Sequence, residues 1–143
     1  MSSNSRRRAR YVAFRALYQM DIAGVTIEEA LKDAQEQAKL GAEGRNFSAR
    51  LALGAAQHLE EIDSWIEKLA EGYSLERLAA VDRAILRLGL YELLYEKETP
   101  PAVVINEAVE LAKEYSTEHS GAFVNGILGT FHKLRQTESA SPT

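Results

Sequence analysis

The chain's three histidines, His58, His119 and His132, stand 61 and 13 residues apart. No pair therefore has the three- or four-residue spacing that puts two imidazoles on one helical face for a metal ion. There is no cysteine, which excludes disulfides, thiolate metal sites and thiol nucleophiles. Gly121, Gly126 and Gly129 do not follow the G-x-G-x-x-G order, lack a P-loop lysine and follow no strand, so no phosphate cradle is read there. Neighbouring carboxylates such as Glu28 with Glu29 and Glu60 with Glu61 fall ~100° apart on a helix, wrong for sharing one substrate atom. Solvated helix faces account for them. No catalytic residue, metal site or cofactor is expected.

The arginines do carry chemistry. Residues 1–15 hold five of them, Arg6, Arg7, Arg8, Arg10 and Arg15, with no lysine, and no acid stands before Asp21. Guanidinium groups grip phosphate through paired hydrogen bonds and stack on bases, the chemistry of arginine-rich RNA binding. Competing readings are a frayed solvated terminus, an organelle transit peptide, and a basic amphipathic helix for an anionic membrane or a calmodulin-like partner. A cleaved peptide would not need the apolar stripe that runs on from the arginines through Phe14 to Met20. The membrane and calmodulin uses want basic residues along a whole face. RNA is therefore the preferred polyanion.

The formal net charge of −4 hides an asymmetry. Residues 16–143 contain 12 basic against 21 acidic side chains, a net of −9 behind a +5 arm. Opposite fields ask for two partners, a polyanion for the arm and a basic surface for the body.

These groups need a scaffold, and 143 residues, 45% hydrophobic, suffice for one domain with its own core. No apolar run approaches the ~18 residues of a membrane span, and nothing near Met1 resembles a secretory signal. A soluble, cytoplasmic protein is expected. No stretch of apolar alternation is long enough for a strand, so the fold class is all-α.

The first helix spans about Arg6 to Ala23, ended by Gly24, and a second runs from the capping box Thr26–Glu29 to about Lys39. A long third helix is expected from about Phe47 to Glu71, stopped by Gly72, followed by a short turn at Ser74–Leu78. Val81–Tyr95 is apolar almost all round and belongs at the centre of a bundle. Thr99-Pro100-Pro101 opens a helix to Tyr115 with Glu107, Glu110 and Lys113 outward, and a last helix covers about Ser120 to Arg135. Gly89 and Gly126 inside helices are read as points of close packing, since glycine there costs about 1 kcal/mol against alanine. About seven helices in two three-helix lobes, 6–72 and 73–136, are expected, with 1–5 and 137–143 disordered.

Four segments together resemble a known family. They are Arg6-Arg7-Arg8-Ala9-Arg10 leading into Ala16-Leu17-Tyr18; Val81 to Arg87 (V-D-R-A-I-L-R) with Leu90 to Leu93 (L-Y-E-L); Ala102 to Lys113 (A-V-V-I-N-E-A-V-E-L-A-K); and Phe123 to Leu128 (F-V-N-G-I-L). The sequence resembles the NusB family of bacterial transcription antitermination factors from residue 6 to about 135. The resemblance implies a non-catalytic helical protein that binds the boxA element of nascent ribosomal RNA together with the ribosomal protein NusE. That pair assists the RNA polymerase elongation complex with other Nus factors. By position, Arg6, Arg7, Arg8 and Arg10, with Arg15 continuing the run, match the family's RNA-binding arm. Phe123 lies near the continuing RNA path, and Tyr18, Glu76 and Asp82 match positions implicated in holding NusE. His119 and Ala122 depart from the residues common at those positions. The same module resembles the RNA-binding domain of a ribosomal RNA cytosine methyltransferase, and a helical adaptor without an RNA role is the third reading.

Overall fold

The computed structural model describes residues 3–140. Its elements are α1 (Ser3–Ala23), α2 (Ile27–Ala38), α3 (Ala42–Gln57), α4 (Leu59–Leu69), a 3₁₀ turn (Leu75–Arg77), α5 (Ala80–Tyr95), α6 (Pro101–Tyr115) and α7 (Glu118–Ala140). The all-α expectation holds. α1 already begins at Ser3 and α7 runs on to Ala140, so the flanks expected to be disordered are helical as far as the described residues reach. Residues 1–2 and 141–143 lie outside them.

Local chemistry sets the ends. Gly24 at φ +69 and Gly72 at φ +84 take the left-handed backbone that lets the chain turn away after α1 and α4. Thr26 Oγ1 accepts from the Glu29 N–H at 3.1 Å, one half of the capping box. Before α6, Pro100 holds the cap position without a side-chain bond and Pro101 supplies the first helical φ. Thr99, one residue ahead of the cap, is buried.

The long third helix is corrected to two. His58, at φ −107 and ψ 24, interrupts it. The break turns α4 onto α5 and α7, where Trp65 meets Phe131 edge-on at 4.8 Å. An apolar stripe stepping by three and four hides such a break, because each half keeps the same phase.

α5 is the centre, packed by α1, α3, α4, α6 and α7. A Cβ on Gly89 would lie 2.8 Å from Leu128 Cδ1, so the close approach of α5 and α7 there is real. A Cβ on Gly126 would meet nothing within 4 Å, and that reading of close packing is corrected. A third position is tighter still: a Cβ on Gly54 would run into the ring of Tyr91.

Candidate functional site

The arginine segment is no loose arm. Helix α1 carries it, and the helical repeat sorts its five guanidinium groups. Arg6, Arg7 and Arg8 are exposed on the first turns, while Arg10 is 3% exposed. Arg10 Nε donates to Glu92 Oε1 at 3.1 Å and Oε2 at 3.0 Å, and its guanidinium lies 5.3 Å from the Phe47 ring centre. Nη2 lies 3.0 Å from Oε1 without the alignment of a hydrogen bond. Burial pushes the Glu92 carboxyl up, and the Arg10 hydrogen bond and charge pull it back. Arg10 is thus withdrawn from the RNA-contacting set: a phosphate cannot reach a group sealed against its own carboxylate.

Nor is the rest of the segment without acids. Arg7 Nε donates to Glu107 Oε2 at 3.0 Å, with the Arg7 side chain 58% exposed and that of Glu107 13%. Glu107, read as an outward residue of its helix, faces α1. Arg8 Nη2 donates to the Ala38 carbonyl at the end of α2 at 2.6 Å. Arg15 Nη1 donates to Gln37 Oε1 at 2.9 Å. Arg6 has no such tie among the described residues.

A second region forms where the 3₁₀ turn, α5 and the start of α7 converge. A cavity of about 290 Å³ is lined there by Tyr73, Arg77, Asp82, His119, Ser120 and Phe123. Asp82 is 9% exposed; Ser120 Oγ donates to its Oδ2 at 3.0 Å, and its Oδ1 has no partner. Half-buried Phe123 meets Tyr73 edge-on at 6.2 Å. Glu76 is exposed on the 3₁₀ turn and Tyr18 half-buried on α1. An ion pair ties their elements together. Arg83 Nε donates to Asp21 Oδ2 at 2.8 Å, and Arg83 Nη1 to the Leu75 and Leu78 carbonyls at 3.0 and 2.9 Å. Tyr18, Glu76 and Asp82 flank this node, each on a different element that it joins.

The NusB family model matches residues 7–133, which takes in α1 from Arg7 onward, the cavity and Phe123. The chain belongs to the NusB family. A transcription antitermination protein NusB of Symbiobacterium thermophilum is 47% identical over 134 residues, 88% of each chain. The protein of the same name from Acetivibrio thermocellus is 43% identical over 91% of this chain and 90% of its own. Among solved structures, T. maritima NusB superposes with a TM-score of 0.85 at 41% identity, over 90% of each chain. A crystal structure of NusB and NusE in complex with double-stranded RNA contains a chain that matches with a TM-score of 0.86 at 36% identity, covering 93% of this chain and 99% of that one. Among the described residues no helix is long and apolar enough to cross a membrane.

One feature of this NusB-family chain escapes the sequence reading. Tyr115, the last residue of α6, is 40% exposed, its ring 5.1 Å from Tyr11 and 5.7 Å from Phe14. Its surroundings push the phenol from 10.0 up to about 12, burial first, then Tyr11 and Glu114. The available signal was the three-residue spacing of Tyr11 and Phe14 on α1, though nothing local places α6 beside it.

Proposed function

We propose that this NusB-family chain is a transcription antitermination factor that binds boxA RNA together with NusE and supports processive elongation by RNA polymerase with other Nus factors. It works in the cytoplasm and without catalysis. The exposed guanidinium groups of Arg6, Arg7 and Arg8 on the first turns of α1 carry this reading. Arg15 extends the basic surface, and Phe123 offers a ring in the lining of the cavity beside Tyr73. The acidic body suits a basic ribosomal protein. Tyr18 and exposed Glu76 supply contact and charge, while buried Asp82 holds the start of α7 beside them through Ser120.

Replacement of Arg6, Arg7 and Arg8 by alanine weakens boxA binding and flattens its salt dependence, by roughly 0.7 in log–log slope for each phosphate of a single strand that the protein no longer neutralises. An unchanged slope contradicts the reading and favours the adaptor without an RNA role. For the partner surface, calorimetry with Tyr18→Ala combined with Glu76→Lys shows weakened NusE binding; normal binding removes these residues from the interface. The relatives' shared name favours antitermination over the methyltransferase alternative.

A further inference from the structure

A slot between α1, α2 and α6 adjoins the arginine surface, sharing Arg7 and Arg8 with it, and its aromatic wall has no role assigned so far. It holds about 310 Å³, and its lining includes Arg7, Arg8, Tyr11, Leu111, Glu114 and Tyr115. It lies apart from the cavity at Phe123, with which it shares no residue. Leu111 is buried and Tyr115 40% exposed, so an apolar base and an accessible aromatic ring stand side by side.

The rings are held in place before anything binds. Tyr11 and Tyr115 lie 5.1 Å apart at 31°, and Phe14 backs both, at 6.3 Å from Tyr11 and 5.7 Å from Tyr115. A ring fixed by two others loses little freedom when a flat group stacks on it. Charge adds a direction. Arg7 and Arg8 line the same slot, and the Arg7 side chain is 58% exposed, which draws phosphate to that rim. Glu114 repels phosphate from its own part of the rim and can accept from an exocyclic amino group. A slot that is apolar, aromatic and basic on one flank has the makeup of a single-stranded nucleic acid subsite.

We propose that this slot seats one base of the single-stranded RNA, stacked on Tyr115, while the adjoining phosphates meet Arg7 and Arg8. The proposal rests on the RNA-binding reading and deepens it with a second stacking point, separate from Phe123. It also assigns a use to the Arg7–Glu107 pair: Glu107 keeps the guanidinium of Arg7 beside the slot until a phosphate competes for it.

The test compares Tyr115→Leu with Tyr115→Phe in the full chain bound to NusE, using single-stranded boxA RNA as the probe. Leucine fills the space without an aromatic face, so the RNA binds about tenfold more weakly. The salt slope stays unchanged because every phosphate keeps its cation. Phenylalanine keeps wild-type affinity. A set of RNAs with 2-aminopurine at successive positions reports one position whose emission change on binding disappears in Tyr115→Leu and survives in Tyr115→Phe. Tyr11→Leu gives the same pattern should Tyr115→Leu unfold at the assay temperature. Equal RNA affinity of wild type and Tyr115→Leu, with no 2-aminopurine position affected, overturns the proposal. So does a loss of NusE affinity in Tyr115→Leu without RNA, which assigns the slot to the protein partner. If replacing Arg6, Arg7 and Arg8 leaves RNA binding and its salt slope intact, the RNA reading itself fails. If that replacement weakens binding while Tyr115→Leu does not, only the slot proposal falls.

Discussion

Arg7 and Arg10 are three residues apart on α1 and meet different environments, one 58% exposed by side chain and the other 4%. Arg10→Ala strands the Glu92 carboxylate, 2% exposed, without its cation. Breaking a buried pair in this way costs about 3–5 kcal/mol, read as a lowered urea midpoint. Arg6→Ala, on the surface, changes stability by no more than about 0.5 kcal/mol. The basic run itself was legible from composition. Its division into exposed and buried guanidinium groups was not, because the acids that decide it, Glu92 and Glu107, are 82 and 100 residues away. Asp82 shows the same limit: it is an acid in the first turn of α5, yet Ser120 on α7 determines which of its oxygens is satisfied. Tyr115 gives a pH test. Its phenol is neutral in the fold up to about 12 and ordinarily ionises at 10.0. The unfolded chain therefore loses this proton first, and the stability it contributes is lost as pH rises through that window. Denaturant midpoints of the wild type fall relative to those of Tyr115→Phe between pH 10 and 12, and are offset by a constant amount below it.

At the scale of elements, amphipathic periodicity made the helices legible and left their bends hidden. Pro101 and Gly24 marked the start of α6 and the end of α1 from their own backbone preferences. His58 marks the α3–α4 break with no such preference; its backbone follows from where α4 packs. Glycines inside helices divide in the same way. Gly126→Ala, with open space around the new Cβ, stabilises by about 1 kcal/mol through helix propensity. Gly54→Ala drives a methyl group into the Tyr91 ring and destabilises by about 1–3 kcal/mol. Thermal unfolding of the two variants separates them, since the propensity gain is common to both and only Gly54 meets a ring. α1 has a dual duty. Its buried face, including Val12, Ala13 and Leu17, anchors the helix that presents Arg6, Arg7 and Arg8, so these groups stand on a rigid element rather than on a flexible arm.

Across the whole molecule, the five arginines ahead of a −9 body are partly matched from within, Arg7 by Glu107 and Arg10 by Glu92. The charge split was legible in the sequence, but this internal matching required the fold. The remaining basic surface is small, and the acidic body repels the phosphates it attracts. On the proposed function, a basic NusE bound to that body would offset the repulsion and add a second RNA-contacting face. By linkage, boxA must then tighten the two proteins' grip on each other by the same factor that NusE tightens the grip on boxA. The most direct measurement is the complete thermodynamic cycle, by calorimetric titration of chain, NusE and RNA at two salt concentrations, with boxA and a scrambled strand. A coupling of about 1–3 kcal/mol is predicted, reciprocal within error, larger for boxA than for the scrambled RNA and smaller at high salt. Isolated chain that binds boxA as tightly as the pair does would contradict joint recognition.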